Sequence, residues 1–301
     1  MGGNLIDFPG DKSTHSADLI TVKCLLNNVV STPGAKAACI DLKDFYLNNL
    51  LPNAEYVHFR KEDIPQAIWI QYNLDQFVTP DGYIYARVDK GMYGLPQAGK
   101  VASDYLIPRL KAAGYSETGH TPGLFKHQTN SVIFTLVVDD FLVQHSELGD
   151  FNHLADTLQQ HYEITTDMEA TKFCGITLEW NYDEGHVTLS MPGYVEKALQ
   201  RFTHPTPTRP QHAPHPWIPP NYGAPVHYAE PEDESTPLDK HGTKRLQEVI
   251  GTFLFYGRAI DNTMLTALST LASAQTKGTE QTMDALVQLL DYAATHPDAK
   301  V

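Results

Sequence analysis

Ser131-Val132-Ile133-Phe134-Thr135-Leu136-Val137-Val138-Asp139-Asp140-Phe141-Leu142-Val143-Gln144 is the stretch from which the rest of the chain is read. Two β-rich apolar runs, Ser131 to Val138 and Phe141 to Gln144, meet at adjacent aspartates, which predicts a hairpin with carboxylates at its turn. Paired carboxylates at a buried turn repel one another unless a cation neutralises them. Another short apolar strand, Ala38 to Leu42, is interrupted by Asp41. Two apolar strands that each offer carboxylates where they end suit a pair of Mg²⁺ ions about 4 Å apart, because this hard cation takes oxygen ligands. The plainer alternative makes one aspartate a turn residue and the other a helix cap.

Outward from this hairpin the chain alternates strands and helices. Ser16 is the expected N-cap of a helix whose apolar positions Leu19, Val22, Leu25, Leu26 and Val29 keep the 3.6-residue period, ended by Thr32-Pro33-Gly34. Tyr83 to Val88 alternates as a half-buried strand before a turn at Gly91 to Gly94. Gln97 to Ala113 reads as a helix that Pro108 should kink or break. A helix from Leu148 to His161 follows, then a hairpin, Lys172 to Trp180 and Val187 to Ser190, around Tyr182-Asp183-Glu184-Gly185, then a helix from Tyr194 to Phe202. Ten of the 20 prolines fall between Pro205 and Pro237, where no regular element is expected. Thr243 to Ile260, Met264 to Ala274 and Gln281 to Thr295 read as three helices. The expected division is 1–203, a Pro/His-rich connecting segment 204–237, and an all-α part 238–301.

A chain of 301 residues, 42% hydrophobic and 10% aromatic, can bury a sizeable core, which excludes wholesale disorder. Cys24, Cys39 and Cys174 form no C-x-x-C pair, so a disulfide framework or cysteine zinc site is not indicated. The longest apolar run, Val132 to Val143, contains two aspartates and is well short of the roughly 20 residues of a membrane helix. No leader is evident at the N-terminus, and a soluble, intracellular protein is expected. The net charge of −14 argues against a generally basic nucleic-acid binder, yet its distribution is uneven. Gly82 to Lys111 holds Arg87, Lys90, Lys100, Arg109 and Lys111 against Asp89 and Asp104, and Lys240 to Arg258 holds Lys240, Lys244, Arg245 and Arg258 against Glu248.

Four motifs in order resemble the reverse transcriptases of copia-like long-terminal-repeat retrotransposons. Asp41-Leu42-Lys43-Asp44-Phe45-Tyr46 resembles their first palm motif, Gly94-Leu95-Pro96-Gln97-Ala98-Gly99 the second, Val137-Val138-Asp139-Asp140 the third, and Phe173-Cys174-Gly175-Ile176-Thr177-Leu178-Glu179 the primer-grip hairpin. The resemblance implies an α+β fold: the palm of a right-handed polymerase, a four-stranded and mostly antiparallel sheet backed by helices, with truncated fingers and an all-α thumb. It implies RNA-directed DNA polymerisation from dNTPs on an RNA or DNA template with primer. Asp41 and Asp139 would hold two Mg²⁺ ions, with Mn²⁺ a possible substitute, and Asp140 would support them. Leu42, Lys43, Asp44, Phe45, Tyr46 and Gln97 would bind the nucleotide, Tyr46 excluding a ribose 2′-hydroxyl. Cys174 and Gly175 would grip the primer. Gln247, Gly251 and Phe255, spaced i, i+4, i+8 on one helix face, look like the thumb helix along the template-primer duplex. For Gly251, close helix packing is the ordinary alternative.

Position 137 is Val where the family usually has Tyr, and basic fingers strands are expected upstream of where this sequence begins. An excised piece, weakly active or inactive alone, is therefore expected, with ribonuclease H and integrase domains in the parent polyprotein, a cytoplasmic virus-like particle as its setting, and no membrane partner. The two basic segments should face the duplex, so binding should weaken with salt. Three other readings are weighed. An inactive relic would keep the fold and bind nucleic acid or a partner. Gly94 to Lys100 fits the G-x-x-x-x-G-K of a P-loop NTPase, but Val101 stands where Ser or Thr should bind Mg²⁺, and Pro96 removes a backbone donor. His204, His212, His215 and His227 match no zinc-finger spacing, and Pro216-Trp217-Ile218-Pro219-Pro220 reads as a strap between thumb and palm.

Overall fold

The computed structural model describes Ile6, 8–217 and 233–301. The extreme N-terminus and the later part of the proline-rich segment, with Ile218, Pro219, Pro220 and His227, lie outside the described residues. The chain divides into two compact units, Met1–Ala170 and Thr171–Val301. The residues 171–203, grouped with the palm in the sequence reading, thus fall in the second unit.

In the first unit, α1 (Leu19–Ser31) buries Val22, Leu25, Leu26 and Val29. Its N-cap is Asp18, not Ser16: the Asp18 carboxylate accepts from the Thr21 N–H at 2.7 Å. The segment before it is held otherwise, the Ala17 N–H donating to the Leu136 carbonyl at 2.8 Å. Six strands form one sheet: β1 (Lys36–Leu42), β4 (Tyr115–Glu117), β5 (Leu124–His127), β6 (Ile133–Val137), β7 (Asp140–His145) and β8 (Ile164–Asp167). Their order is β4-β5-β6-β7-β1-β8 with every pair antiparallel, wider than the four strands expected. The additional strands have three or four residues, too few for a period-2 pattern to show.

Two helices, α3 (Ala98–Ala112) and α4 (Leu148–Gln159), cover one face. Ala102, Leu106 and Leu110 of α3 and Phe151, Leu154 and Leu158 of α4 share a core with Ile40, Phe134, Leu136, Phe141 and Val143. Helix α3 runs through Pro108 without a break; Leu106 and Leu110 on either side are fully buried, and their packing offsets the lost backbone hydrogen bond. β2 (Leu50–Arg60) and β3 (Tyr83–Lys90) make a separate antiparallel ribbon, with the short α2 (Gln66–Gln71) between them in sequence.

In the second unit, β9 (Lys172–Phe173), β10 (Ile176–Asn181) and β11 (His186–Ser190) form a three-stranded sheet, followed by α5 (Tyr194–Arg201). The three C-terminal helices are α6 (Lys240–Ala259), α7 (Leu265–Ala274) and α8 (Glu280–Thr295), within a few residues of the expected spans. Leu246, Val249 and Phe253 of α6, Leu268 of α7, and Leu286, Leu289 and Leu290 of α8 are fully buried. The described part of the connecting segment is tied to α8 and the turn after it: His204 Nε2 meets Asp291 Oδ1 at 2.7 Å, and His212 Nδ1 lies 3.1 Å from His296 Nε2. Trp217 is exposed, so among the described residues the expected strap has no anchor at that ring. Among the described residues no helix is long and apolar enough to cross a membrane.

Candidate active site

The chemistry-bearing residues of the first unit converge where β1 and the β6–β7 hairpin end. Val137 pairs with Asp140, so the hairpin turns through Val138 and Asp139 alone. Val138 has φ 61, a left-handed conformation in which two-residue hairpins favour Gly or Asn. A β-branched side chain there is strained, and the ladder on both sides holds it. The Asp139 carbonyl accepts from the Leu42 N–H at 3.1 Å, which fastens the turn to the end of β1 beside Asp41.

The Asp139 charge is felt at Asp41. Burial, then the Asp139 charge, push the Asp41 carboxyl above the ordinary carboxylate value. Asp140 stands opposite Asp41 in the ladder, on the same face of the sheet, and its charge is also felt by Cys39 two residues along β1, whose thiol burial, Asp167 and Asp140 push up to about 12. Among the described residues no group of three or more His, Cys, Asp or Glu side chains could hold a metal ion together. The three expected carboxylates thus stand at one end of the sheet, Asp140 opposite Asp41 in the ladder and Asp139 in the adjoining turn, without closing into a ready-made ligand set among the described residues. The Asp41–Asp139 pair fits Mg²⁺, which is commonly held by one or two carboxylates together with substrate phosphates.

Around the pair stand two tyrosines. The Tyr93 hydroxyl donates to Asp139 Oδ2 at 3.3 Å, and its ring meets that of Tyr46 edge-on at 4.7 Å. Burial and then Asp139 push both phenols up. Tyr46 is placed by the turns after β1: its carbonyl accepts from Asn49 N–H at 3.1 Å and would lie 2.7 Å from a Cβ at position 91, so only glycine fits at Gly91. A crevice lined by Thr14, Ser16, Tyr46, Gly99 and Val138 opens beside these groups. Sequence reasoning passed over Tyr93, although it lies two residues before Leu95 in the second motif.

The other first-unit candidates are more dispersed. The side chains of Leu42 and Phe45 lie in the core, leaving only their backbone to face a ligand. Lys43 reaches Glu163 at 2.6 Å in an exposed ion pair, and Asp44 is exposed with φ 52. Gln97 is buried; its Nε2 donates to Glu55 Oε1 at 2.6 Å, while its Oε1 has no partner among the described residues. Glu55 follows a register shift in β2 that no local pattern announces. Lys100 is held by Asp104 at 2.5 Å inside α3, and Val101 is buried, so the phosphate-binding loop alternative finds neither a poised lysine nor a hydroxyl.

In the second unit Cys174 (φ 47) and Gly175 (φ 81) form the two-residue turn between β9 and β10, closed by Phe173 and Ile176. Both turn residues being left-handed is the I′ hairpin condition. Gln247, Gly251 and Phe255 share the exposed side of α6. A Cβ at Gly251 would meet nothing within 4 Å, so close packing among the described residues does not explain this glycine, unlike Gly257, where an added Cβ would lie 3.0 Å from Leu268.

A family model described as Reverse transcriptase (RNA-dependent DNA polymerase) matches residues 57–215, more than half of the chain. The chain belongs to the copia-type reverse transcriptases. A putative transposon Ty5-1 protein of Saccharomyces cerevisiae is 24% identical over 165 residues, covering 53% of this chain and 48% of its own length. This reverse transcriptase chain thus spans about half the length of that relative. The structure of telomerase from Candida albicans in complex with a TWJ fragment of telomeric RNA aligns with 95% of this chain and 49% of its own, at 10% identity and a TM-score of 0.35. RNA-directed DNA polymerase is the activity of the family.

Proposed function

We propose that this chain performs template-directed addition of deoxynucleotides to a primer 3′-hydroxyl at the Asp41–Asp139 pair. The observation that carries the reading is geometric: the Leu42 N–H donates to the Asp139 carbonyl at 3.1 Å, which sets the Asp139 turn beside the end of β1 that carries Asp41, and partial desolvation with the Asp139 charge disfavours the Asp41 carboxylate, a cost that a bound cation removes. Mg²⁺, with Mn²⁺ as substitute, would be held by Asp41 and Asp139 and would supply charge neutralisation at the reacting phosphate. In the reaction the primer 3′-oxygen bonds to the α-phosphorus, the bond from that phosphorus to the β-phosphate oxygen breaks, pyrophosphate leaves, and the hydroxyl proton passes to solvent.

The chain's own groups position the reactants. The Tyr93 hydroxyl orients the Asp139 carboxylate, and the Tyr93 ring props Tyr46 where it would exclude a 2′-hydroxyl. Glu55 fixes the amide of Gln97 so that its partnerless oxygen stays oriented for a nucleotide donor. Asp140, opposite Asp41 in the ladder, would support the pair from the strand that it begins. In the second unit the Cys174-Gly175 turn would hold the primer strand, and the Gln247–Gly251–Phe255 face would lie along the template-primer duplex, where Gly251 admits a sugar-phosphate backbone.

The test is extension of a DNA primer on a defined RNA template with all four dNTPs, with and without Mg²⁺. Metal-dependent products templated by the RNA are expected. Folded chain that binds primer-template but adds no nucleotide would favour an inactive nucleic-acid-binding relic.

A further inference from the structure

The ribbon of β2 and β3 has two unlike faces. Its register sets Tyr56 opposite Arg87, His58 opposite Tyr85 and Arg60 opposite Tyr83. Residues directly opposite, and residues two apart on one strand, share a face, so these six side chains line one side. On the other side Ile84 is buried, and Val88 packs on the cluster of Leu51, Leu95, Ala98 and Val101. The ribbon is therefore anchored through one face, and the fold does not require aromatic rings on the other. Tyr56 is nevertheless 69% exposed and Tyr85 55%.

The exposed rings are already arranged as a stack. His58 lies on Tyr83 at 4.8 Å with 23° between planes, and on Tyr85 at 5.8 Å with 29°. The Arg60 guanidinium lies 5.9 Å over the Tyr83 ring. The arginines face acidic neighbours: Arg60 meets Glu62 at 3.5 Å and Arg87 meets Asp89 at 2.7 Å, while Asp81 accepts from the Tyr85 hydroxyl. Both ion pairs join side chains more than half exposed, a class worth about 0–1 kcal/mol, so a phosphate can replace either acid at little cost.

We infer that this face, Tyr56-His58-Arg60 beside Tyr83-Tyr85-Arg87, is a binding site for single-stranded nucleic acid. Open π-faces interleaved with guanidinium groups are what an unpaired strand needs: bases to stack on rings, phosphates to meet cations. A duplex does not offer this, because its base faces are consumed in its own stack. A purely apolar partner would leave the arginines unmatched. The site's role as a platform for unpaired template rests on the polymerase reading; the binding itself does not.

Anisotropy of labelled oligouridylate and oligodeoxythymidylate, each about 16 nucleotides long, tests it on the full chain without metal. The tighter of the two shows which strand the site takes. Tyr56→Ala/Tyr85→Ala should weaken binding by about tenfold or more, whereas Tyr56→Phe/Tyr85→Phe should keep it within about twofold. Arg60→Ala/Arg87→Ala should flatten the slope of log affinity against log salt by about 1.4. If the parent binds neither, or the alanine pair binds as well as the parent with an unchanged melt, the site does not exist. Loss of binding in the alanine pair of a chain that extends no primer would uphold the site while sinking the polymerase reading; extension with tyrosine-independent binding would do the reverse.

Discussion

The Tyr93 hydroxyl donates to the Asp139 carboxylate at 3.3 Å, linking the turn after β3 to the turn between β6 and β7. The same Tyr93 ring rests edge-on against Tyr46, so one side chain bears on both the carboxylate proposed to hold metal and the residue proposed to screen sugars.

Sugar selection should separate these two roles. Tyr46→Val should raise ribonucleotide incorporation relative to deoxynucleotide by about tenfold or more, since a removed ring is a removed clash. Tyr93→Ala should do the same to a lesser degree by leaving Tyr46 unpropped, and Tyr93→Phe, which keeps the ring, should not. Steady-state kcat/KM for paired nucleotides reads this directly, and an unchanged ratio in Tyr46→Val would remove Tyr46 from the selection.

The Asp41–Asp139 repulsion gives a signed pH dependence. A carboxyl raised in the folded state favours folding while protonated, so its contribution is full below the ordinary carboxylate value and is lost as pH rises through the raised one. At neutral pH in chelator, Asp41→Asn should therefore melt higher than the parent, and the gap should close as pH falls toward the ordinary carboxylate value. Added Mg²⁺ should raise the parent's melt at neutral pH and leave that of Asp41→Asn almost unmoved. A gap independent of pH would show that Asp41 is not strained by its neighbour.

Much of this arrangement was legible in residue order, for identifiable reasons. The aspartate hairpin and the three C-terminal helices carry long, regular patterns, and the structure returns them as β6–β7 and α6–α8. The short strands β4, β5 and β8 carry almost none, which is why the sheet is wider than expected. β2 was hidden by Pro52 and by the irregular pairing between Leu50 and Glu55, and its aromatic face with it. Asp139 and Asp140 come to Asp41 by different routes: Asp140 begins β7 and stands opposite Asp41 in the ladder, whereas Asp139 sits in the turn beside it. Adjacent letters in a sequence do not show that difference.

Strain at the turn has its own test. Val138 is a β-branched residue at φ 61, a conformation that costs about 1–2 kcal/mol for most side chains and less for asparagine. Val138→Asn should stabilise the first unit by about 1 kcal/mol, seen as a melt raised by roughly 2–4 °C. A lowered melt would mean that the valine's contacts outweigh the backbone cost.

On α6, Gly251 separates stability from binding. Gly251→Ala should stabilise the helix by about 1 kcal/mol, because the added methyl meets nothing within 4 Å. The same methyl should weaken primer-template binding if that face approaches the duplex. A melt that rises while duplex affinity is unchanged would take the α6 face out of the interface.

The most direct test of the central claim is Mg²⁺-dependent primer extension by Asp41→Asn, Asp139→Asn and Asp140→Asn, each first shown to fold and to bind primer-template. Asp41→Asn and Asp139→Asn should each lose about a thousandfold or more in rate, roughly 4 kcal/mol of transition-state stabilisation, and Asp140→Asn should lose less. Extension by Asp139→Asn at the parent's rate would contradict the assignment of the Asp41–Asp139 pair as the catalytic centre.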